Sequence, residues 1–240
     1  MATFVLVHGA WRGSWCWKRV RPALRALGHD VFTPTLTGVG ERSHLLSPHV
    51  NLDTHIDDVV NLIQLEDLTH VVLCGHSYAG AVVAGVVDRV ADRIGALVYL
   101  DAFVLEDGQC VHDALPAAHR ELQLDLAQRV GDGWKVPPIP AEVFNVNPAD
   151  RAWVDSQCTM QPLATFQQPL RLSGPRAPTS TTFILATGFN DSPFPPFYDR
   201  ARVNGWATAT IDCGHDVMLD RPEELTAILA GVAAGEPAAM

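Results

Sequence analysis

The chain has 240 residues, 48% hydrophobic and 18% charged, with a formal net charge of −10. That length and apolar share exclude wholesale disorder and favour one domain over 1–240 whose core needs neither disulfides nor a structural metal. The acidic balance argues against nucleic acid, whose affinity comes from neutralising phosphates with Lys and Arg, and only Lys18 and Lys135 are lysines.

The first apolar run, Phe4–Val7, reads as a buried strand. It is too short for a signal peptide or for the roughly 20 residues that cross a bilayer, so a cytoplasmic protein with no membrane partner is expected. Val31–Thr33, Val71–Cys74, Leu97–Leu100, Phe183–Ala186 and Ala207–Ile211 read the same way, rich in Val, Ile and Phe and bounded by turn residues. Helical patterns lie between most of them. Ser14–Leu27 ends at Gly28; Asp53–Leu65 repeats Ile56, Val59, Val60 and Ile63; Tyr78–Val90 follows the third strand; Glu223–Val232 follows Pro222, a good first-turn residue. This alternation predicts an α/β fold, a mostly parallel sheet of about six strands flanked by helices. The rhythm breaks at 106–180, which holds no strand candidate and is punctuated by nine prolines, from Pro116 to Pro178. A structureless loop of that length is improbable in a compact domain, so the segment is expected to be a helical cap inserted over the carboxyl edge of the sheet. Residues 235–240 read as a frayed tail, and the five cysteines, lacking any CxxC pair, as buried thiols that form neither a disulfide framework nor a zinc site.

The strongest chemical signal is Gly75-His76-Ser77-Tyr78-Ala79-Gly80 between a strand and a helix. A serine on such a turn is held in a strained conformation that needs small residues two positions to either side, and Gly75 and Ala79 supply them. The turn also puts Ser77 at a helix N-terminus, where free amides can stabilise an oxyanion. Acyl transfer needs two such donors. The loop Val7-His8-Gly9-Ala10-Trp11 after the first strand offers the Ala10 N–H, and the residue after the nucleophile offers that of Tyr78. A serine hydroxyl also needs a base. Among ten histidines, His215 in Asp212-Cys213-Gly214-His215-Asp216 stands out, because it follows the last strand and can reach across the sheet edge. His29, His44, His49, His55, His70, His112 and His119 are placed in loops or on polar helix faces, and His76 is expected to point away from the Ser77 hydroxyl.

Two carboxylates compete to orient the imidazole. Asp101 ends a strand and stands between two apolar runs, where a lone carboxylate is costly unless partnered. Asp191 lies in Gly188-Phe189-Asn190-Asp191-Ser192-Pro193, where Asp is also common for turn reasons. Energetics favour Asp101, with Asp191 as the alternative. Trp11, Phe103 and Trp153 are candidates for the substrate pocket, together with Trp15, Tyr78, Phe166, Phe194 and Phe197. They suggest a compact, mostly apolar site for a small molecule.

With these residues on view, the run His8-Gly9-Ala10-Trp11-Arg12-Gly13-Ser14-Trp15-Cys16-Trp17, the Ser77 turn and Gly214-His215-Asp216 resemble the α/β-hydrolase superfamily. The resemblance is to the bacterial branch of the small esterases grouped with plant methyl-ester esterases and hydroxynitrile lyases. It implies a triad of Ser77, His215 and an acid, an oxyanion hole from Ala10 and Tyr78, and no cofactor. The lyase members carry a lysine after the catalytic histidine and a threonine in the first loop; here Asp216 follows His215 and the loop has Gly9. The expectation is therefore a serine hydrolase of a small ester, lactone, carbamate or amide. The alternatives are a hydroxynitrile lyase or C–C bond hydrolase on the same triad, or a non-catalytic ligand-binding receptor.

Overall fold

A computed structural model describes residues 1–174 and 180–235. Pro175, Pro178 and the tail at 236–240 lie outside the described residues. Six strands build one sheet: β1 (Thr3–Val7), β2 (Asp30–Phe32), β3 (Val71–His76), β4 (Ile94–Leu100), β7 (Ser180–Ala186) and β8 (Ala207–Ile211). Their spatial order is β2-β1-β3-β4-β7-β8, and every pairing is parallel.

Period-two alternation sorts each strand between two cores. Val5, Val7, Leu73, Tyr99 and Phe183 face the side covered by α2 (Leu52–Leu65) and α3 (Ala79–Val90). Phe4, Leu6, Cys74, Val98 and Ile184 face the side covered by α1 (Val20–Ala26) and α10 (Pro222–Ala234). Asn51 caps α2, its Oδ1 accepting from the Thr54 N–H at 3.0 Å. The chain steps from β1 outward to β2 and then back past β1 to β3. Between the carboxyl ends of β1 and β3 the order reverses, which is where open parallel sheets form crevices.

The structure departs from the expected elements in places. Ser14–Trp17 is a separate short 3₁₀ turn ahead of α1. A helix the pattern did not suggest, α8 (Pro195–Val203), joins β7 to β8. Between β4 and β7 the described chain is chiefly helical, in α4 (Val111–Ala114), α5 (Ala117–Val130), α6 (Arg151–Gln157) and α7 (Ala164–Gln167). It also holds an antiparallel pair of two-residue strands, β5 (Lys135–Val136) and β6 (Gln161–Pro162), where no strand was expected. A further short helix, α9 (Val217–Asp220), precedes α10. The five cysteines are free thiols; four are buried and Cys158 is half-buried.

Histidines, against expectation, are built into the interior. His55 on α2 and His112 on α4 are buried, because position 55 falls on the apolar stripe of Val59 and Ile63 and His112 turns inward from its helix. His8 donates Nδ1–H to the Gly9 carbonyl at 2.8 Å and accepts the Leu36 N–H on Nε2 at 3.0 Å. His55 donates Nε2–H to the Thr37 carbonyl at 2.8 Å and accepts the Tyr78 hydroxyl on Nδ1 at 2.9 Å. A ring with one donating and one accepting nitrogen is neutral. Burial, the largest influence on both, lowers His8 and His55 from 6.5 to about 4. The folded state thus refuses protons that the unfolded chain takes up near 6.5, and each such ring removes up to about 1.4 kcal/mol per pH unit as pH falls. The melting temperature is expected to drop steeply between pH 6.5 and about 4; an unchanged melting temperature from pH 7 to pH 5 would contradict this account.

Candidate active site

Ser77 sits on the turn between β3 and α3 with φ of 57°. The left-handed conformation is strained for a side chain with a Cβ, and it persists because the surroundings leave no alternative. The Ser77 N–H donates to the Leu100 carbonyl at 3.2 Å, and its own carbonyl accepts from the Phe103 N–H at 3.2 Å. These bonds extend the β3–β4 pairing past the strand ends. The small residues around the turn are sterically required. A Cβ on Gly75 would lie 2.7 Å from the Ala79 carbonyl oxygen, and one on Gly80 would lie 2.0 Å from that of Phe103.

His215, in the loop after β8, reaches across to this turn. The Ser77 hydroxyl donates to its Nε2 at 2.8 Å, and its Nδ1–H donates to Asp101 Oδ2 at 2.6 Å. A carboxylate can only accept, so Nδ1 carries the proton and Nε2 presents a lone pair to Ser77. Asp101 follows β4 directly and is fully buried, and its Oδ1 accepts the Ala186 N–H from the end of β7 at 3.1 Å. Burial pushes the Asp101 carboxyl up, and the Ala186 N–H works against that push. Burial likewise drives His215 well below its ordinary value, so its ring is neutral.

Of the two competing carboxylates, only Asp101 is part of this chain of bonds. Asp191 is exposed at the rim of the cavity. Its loop contributes rings that pack on His215. Phe189 lies 5.0 Å from the His215 ring and Phe194 stacks on it at 5.2 Å and 11°. His76 packs against His215, with ring centroids 4.4 Å apart and its Nε2–H donated to the His215 carbonyl at 3.0 Å.

Ala10, Trp11, Ser77, Tyr78, Phe103, Phe144, Phe166 and His215 are among the residues lining a cavity of about 410 Å³. The amides of Ala10 and Tyr78 have no acceptor among the described residues, which leaves both available on the wall beside Ser77. Trp153 does not line this cavity, contrary to expectation. It sits on α6, whose Val154 packs into the opposite core. Its ring meets Trp15 edge-on at 5.1 Å, with Lys18 Nζ 3.5 Å above it. An aromatic residue in this segment is recognisable from sequence, but the sheet face it turns to is not. Among the described residues no His, Cys, Asp or Glu cluster could hold a metal.

A buried ion pair, unforeseen from sequence, ties the two loops of the site together. Arg12, 2% exposed, donates Nε–H to Asp216 Oδ1 at 3.1 Å and Nη2–H to Oδ2 at 2.6 Å. Burial opposes ionisation of Asp216, but the guanidinium outweighs it and holds the carboxyl at about 2. Between Ala10 and Arg12, Trp11 adopts φ of 62° and is pinned by the segment between β4 and β7: its N–H donates to Gln161 Oε1 and its indole N–H to the Val136 carbonyl, both at 3.1 Å. Removing one partner of a buried pair leaves a charge uncompensated. Arg12→Met is therefore expected to lower stability by about 3–5 kcal/mol, and Arg12→Met/Asp216→Leu by less, as measured by urea unfolding. A double variant less stable than the single would contradict this.

The model of the alpha/beta hydrolase family matches residues 4–228. A carbendazim hydrolyzing esterase from a Nocardioides species is 46% identical over 97% of this chain and 100% of its own length. Methylesterase 7 of Arabidopsis thaliana is 24% identical over 96% of this chain and 95% of its own. Among solved structures, an extracellular alpha/beta-hydrolase from a Paenibacillus species superimposes with a TM-score of 0.83 at 25% identity, covering 97% of this chain and 99% of that one. The strand order, the serine turn and the match across nearly the whole sequence lead to one conclusion: this chain belongs to the alpha/beta hydrolase family.

Proposed function

We propose that the protein is a serine hydrolase that cleaves small, largely apolar carboxylic esters or related carbonyl compounds through an acyl-enzyme. The observation that carries this reading is the unbroken chain of hydrogen bonds from Ser77 through His215 to Asp101 at the wall of the cavity. Ser77 Oγ attacks the substrate carbonyl as its proton passes to His215 Nε2. The Ala10 and Tyr78 amides receive the developing oxyanion, and Asp101 stabilises the imidazolium. His215 then gives the proton to the leaving group, and the same steps with water in place of serine release the acid. The rings of Phe144, Phe189 and Phe194 pack around His215 and lower the local polarity, which strengthens each of these interactions.

The esterase relatives support hydrolysis over lyase chemistry, and so does the position after His215. An ammonium there could assist departure of cyanide, but Asp216 occupies it with its carboxylate bound to Arg12. The Nocardioides relative makes carbendazim the first candidate substrate to assay beside p-nitrophenyl acetate.

Ser77→Ala is expected to abolish p-nitrophenyl acetate turnover with the fold intact by circular dichroism, and a fluorophosphonate probe to label the native protein but not this variant. Undiminished turnover would end the mechanism. Asp101→Asn is expected to reduce kcat by about 10⁴-fold, as for a misoriented imidazole, whereas Asp191→Asn should change it only a few-fold. The reverse pattern would transfer the role of acid to Asp191. Because burial lowers the proton affinity of His215, kcat/KM should rise with pH along an acid limb centred below 6.5. A midpoint above 6.5 in short assays on folded protein would contradict a buried neutral base.

A further inference from the structure

Helix α5 is polar over most of its surface, and the residues it buries are Gln123 and Ala127. A glutamine turned inward costs about 1–3 kcal/mol for each polar group left without a partner, so the bonds it makes show what holds it. Gln123, 8% exposed, accepts on Oε1 from His112 Nε2–H at 2.9 Å. His112 on α4 is 5% exposed and stacks on Phe166, with rings 5.8 Å apart and 10° from parallel. Burial lowers its proton affinity, so it is a neutral ring with one N–H to give. The bond to Oε1 spends that N–H on the carbonyl end of the amide. With Oε1 held by His112, the Gln123 NH2 group faces elsewhere, and among the described residues it has no acceptor. Gln123 also lines the cavity that holds Ser77.

Of the other polar side chains of the cavity, Glu142, Asn190 and Asp191 are exposed at the mouth, where water satisfies them and a substrate gains little by replacing it, while His119 and Asn145 are half-buried and less enclosed than Gln123. Trp11, Phe103, Phe144 and Phe166 make the remaining wall near Ser77 aromatic. A buried, oriented donor in such a wall discriminates strongly, because an analogue without the matching acceptor leaves its N–H unpaired.

We propose that Gln123, oriented by His112, is the specificity-determining donor of this cavity, and that its preferred substrates are aromatic esters bearing a hydrogen-bond acceptor, such as a ring nitrogen or carbonyl oxygen, away from the scissile bond. The proposal rests on the reading of this cavity as the ester site. His112 is a positioning residue that acts through Gln123.

The test compares 4-nitrophenyl benzoate with the three 4-nitrophenyl pyridinecarboxylates, which are near-isosteric and differ in one acceptor atom. Phenyl acetate and the three pyridyl acetates probe the alcohol side in the same way. Intrinsic reactivity cancels when each kcat/KM ratio of acceptor-bearing to plain ester is compared between wild type and variant. For at least one isomer, the wild-type ratio is expected to exceed that of Gln123→Met by about tenfold, the worth of one buried hydrogen bond. His112→Phe, which keeps the stack on Phe166 but removes the donor, should lower the ratio in the same direction. Gln123→Glu should lower it further, because a carboxylate repels an acceptor. Calorimetric binding of the same esters to Ser77→Ala, with Gln123 untouched, should favour the same isomer even where a Gln123 variant does not fold. Ratios equal in wild type and Gln123→Met for every isomer, or indifferent binding by Ser77→Ala, would overturn the role of Gln123. Turnover of these esters by Ser77→Ala would instead overturn the ester-site reading, so the two failures are distinguishable.

Discussion

A carboxylate with no contact to solvent must find its partners inside the protein, and the position of Asp101 organises everything around it. One oxygen takes the Ala186 N–H from the end of β7, and the other takes the proton of His215 after β8. These bonds require β4, β7 and β8 to end at matching depth. Their registers, Leu100 against Ile184 and Ala186 against Ile211, deliver that alignment. The same constraint fixes the imidazole tautomer. An acceptor on the Nδ1 side leaves the lone pair on the Nε2 side, facing Ser77. Sheet registration and proton location are thus two aspects of one electrostatic requirement.

Around this line aromatic rings pack against His215, and polar groups stand at a few points among them. Ser77, the two free amides, the Arg12–Asp216 pair and the His112–Gln123 pair are each either bonded or directed at the cavity. The Arg12–Asp216 pair joins loops from opposite ends of the sequence. In net charge it is neutral, so it can lie beside His215 without adding a charge of its own to the site. Its geometry does the positioning: Arg12 follows the loop carrying the Ala10 amide, and Asp216 is covalently next to the base.

How far this was legible in the sequence depended on how local the cause was. Ser77 and His215 could be read directly, because each occupies a turn beside a strand and the chemistry of those turns is written in adjacent residues. The six sheet strands were visible as apolar runs, whereas β5 and β6 are two residues long and too short to show any period. Asp101 and Asp191 follow neighbouring strands and look alike locally; burial and β4–β7 register separate them, and both are long-range facts. Trp153 was misplaced because helical periodicity reveals a buried face but not which of two cores receives it. His55 has a readable signal in its spacing from Val59 and Ile63, which puts it on the apolar stripe of α2. Arg12 sits in a loop where arginine reads as solvated. The clue to it was Asp216, a carboxylate beside a histidine assigned to an enclosed site, which must find a counter-charge somewhere.

Trp11 belongs to the loop that presents the Ala10 amide, yet Gln161 and Val136 of the segment between β4 and β7 hold its backbone and indole, and its carbonyl accepts from the Thr159 N–H at 3.0 Å. The inserted segment therefore divides into two parts with different freedom to diverge. Stretches around 136 and 159–161 are mechanically part of the loop beside Ser77, and changes there would be felt at the Ala10 amide. Helices α4 and α5 reach the cavity without holding that loop. They form the part of the molecule in which a lineage could exchange one substrate for another without rebuilding the machinery beneath.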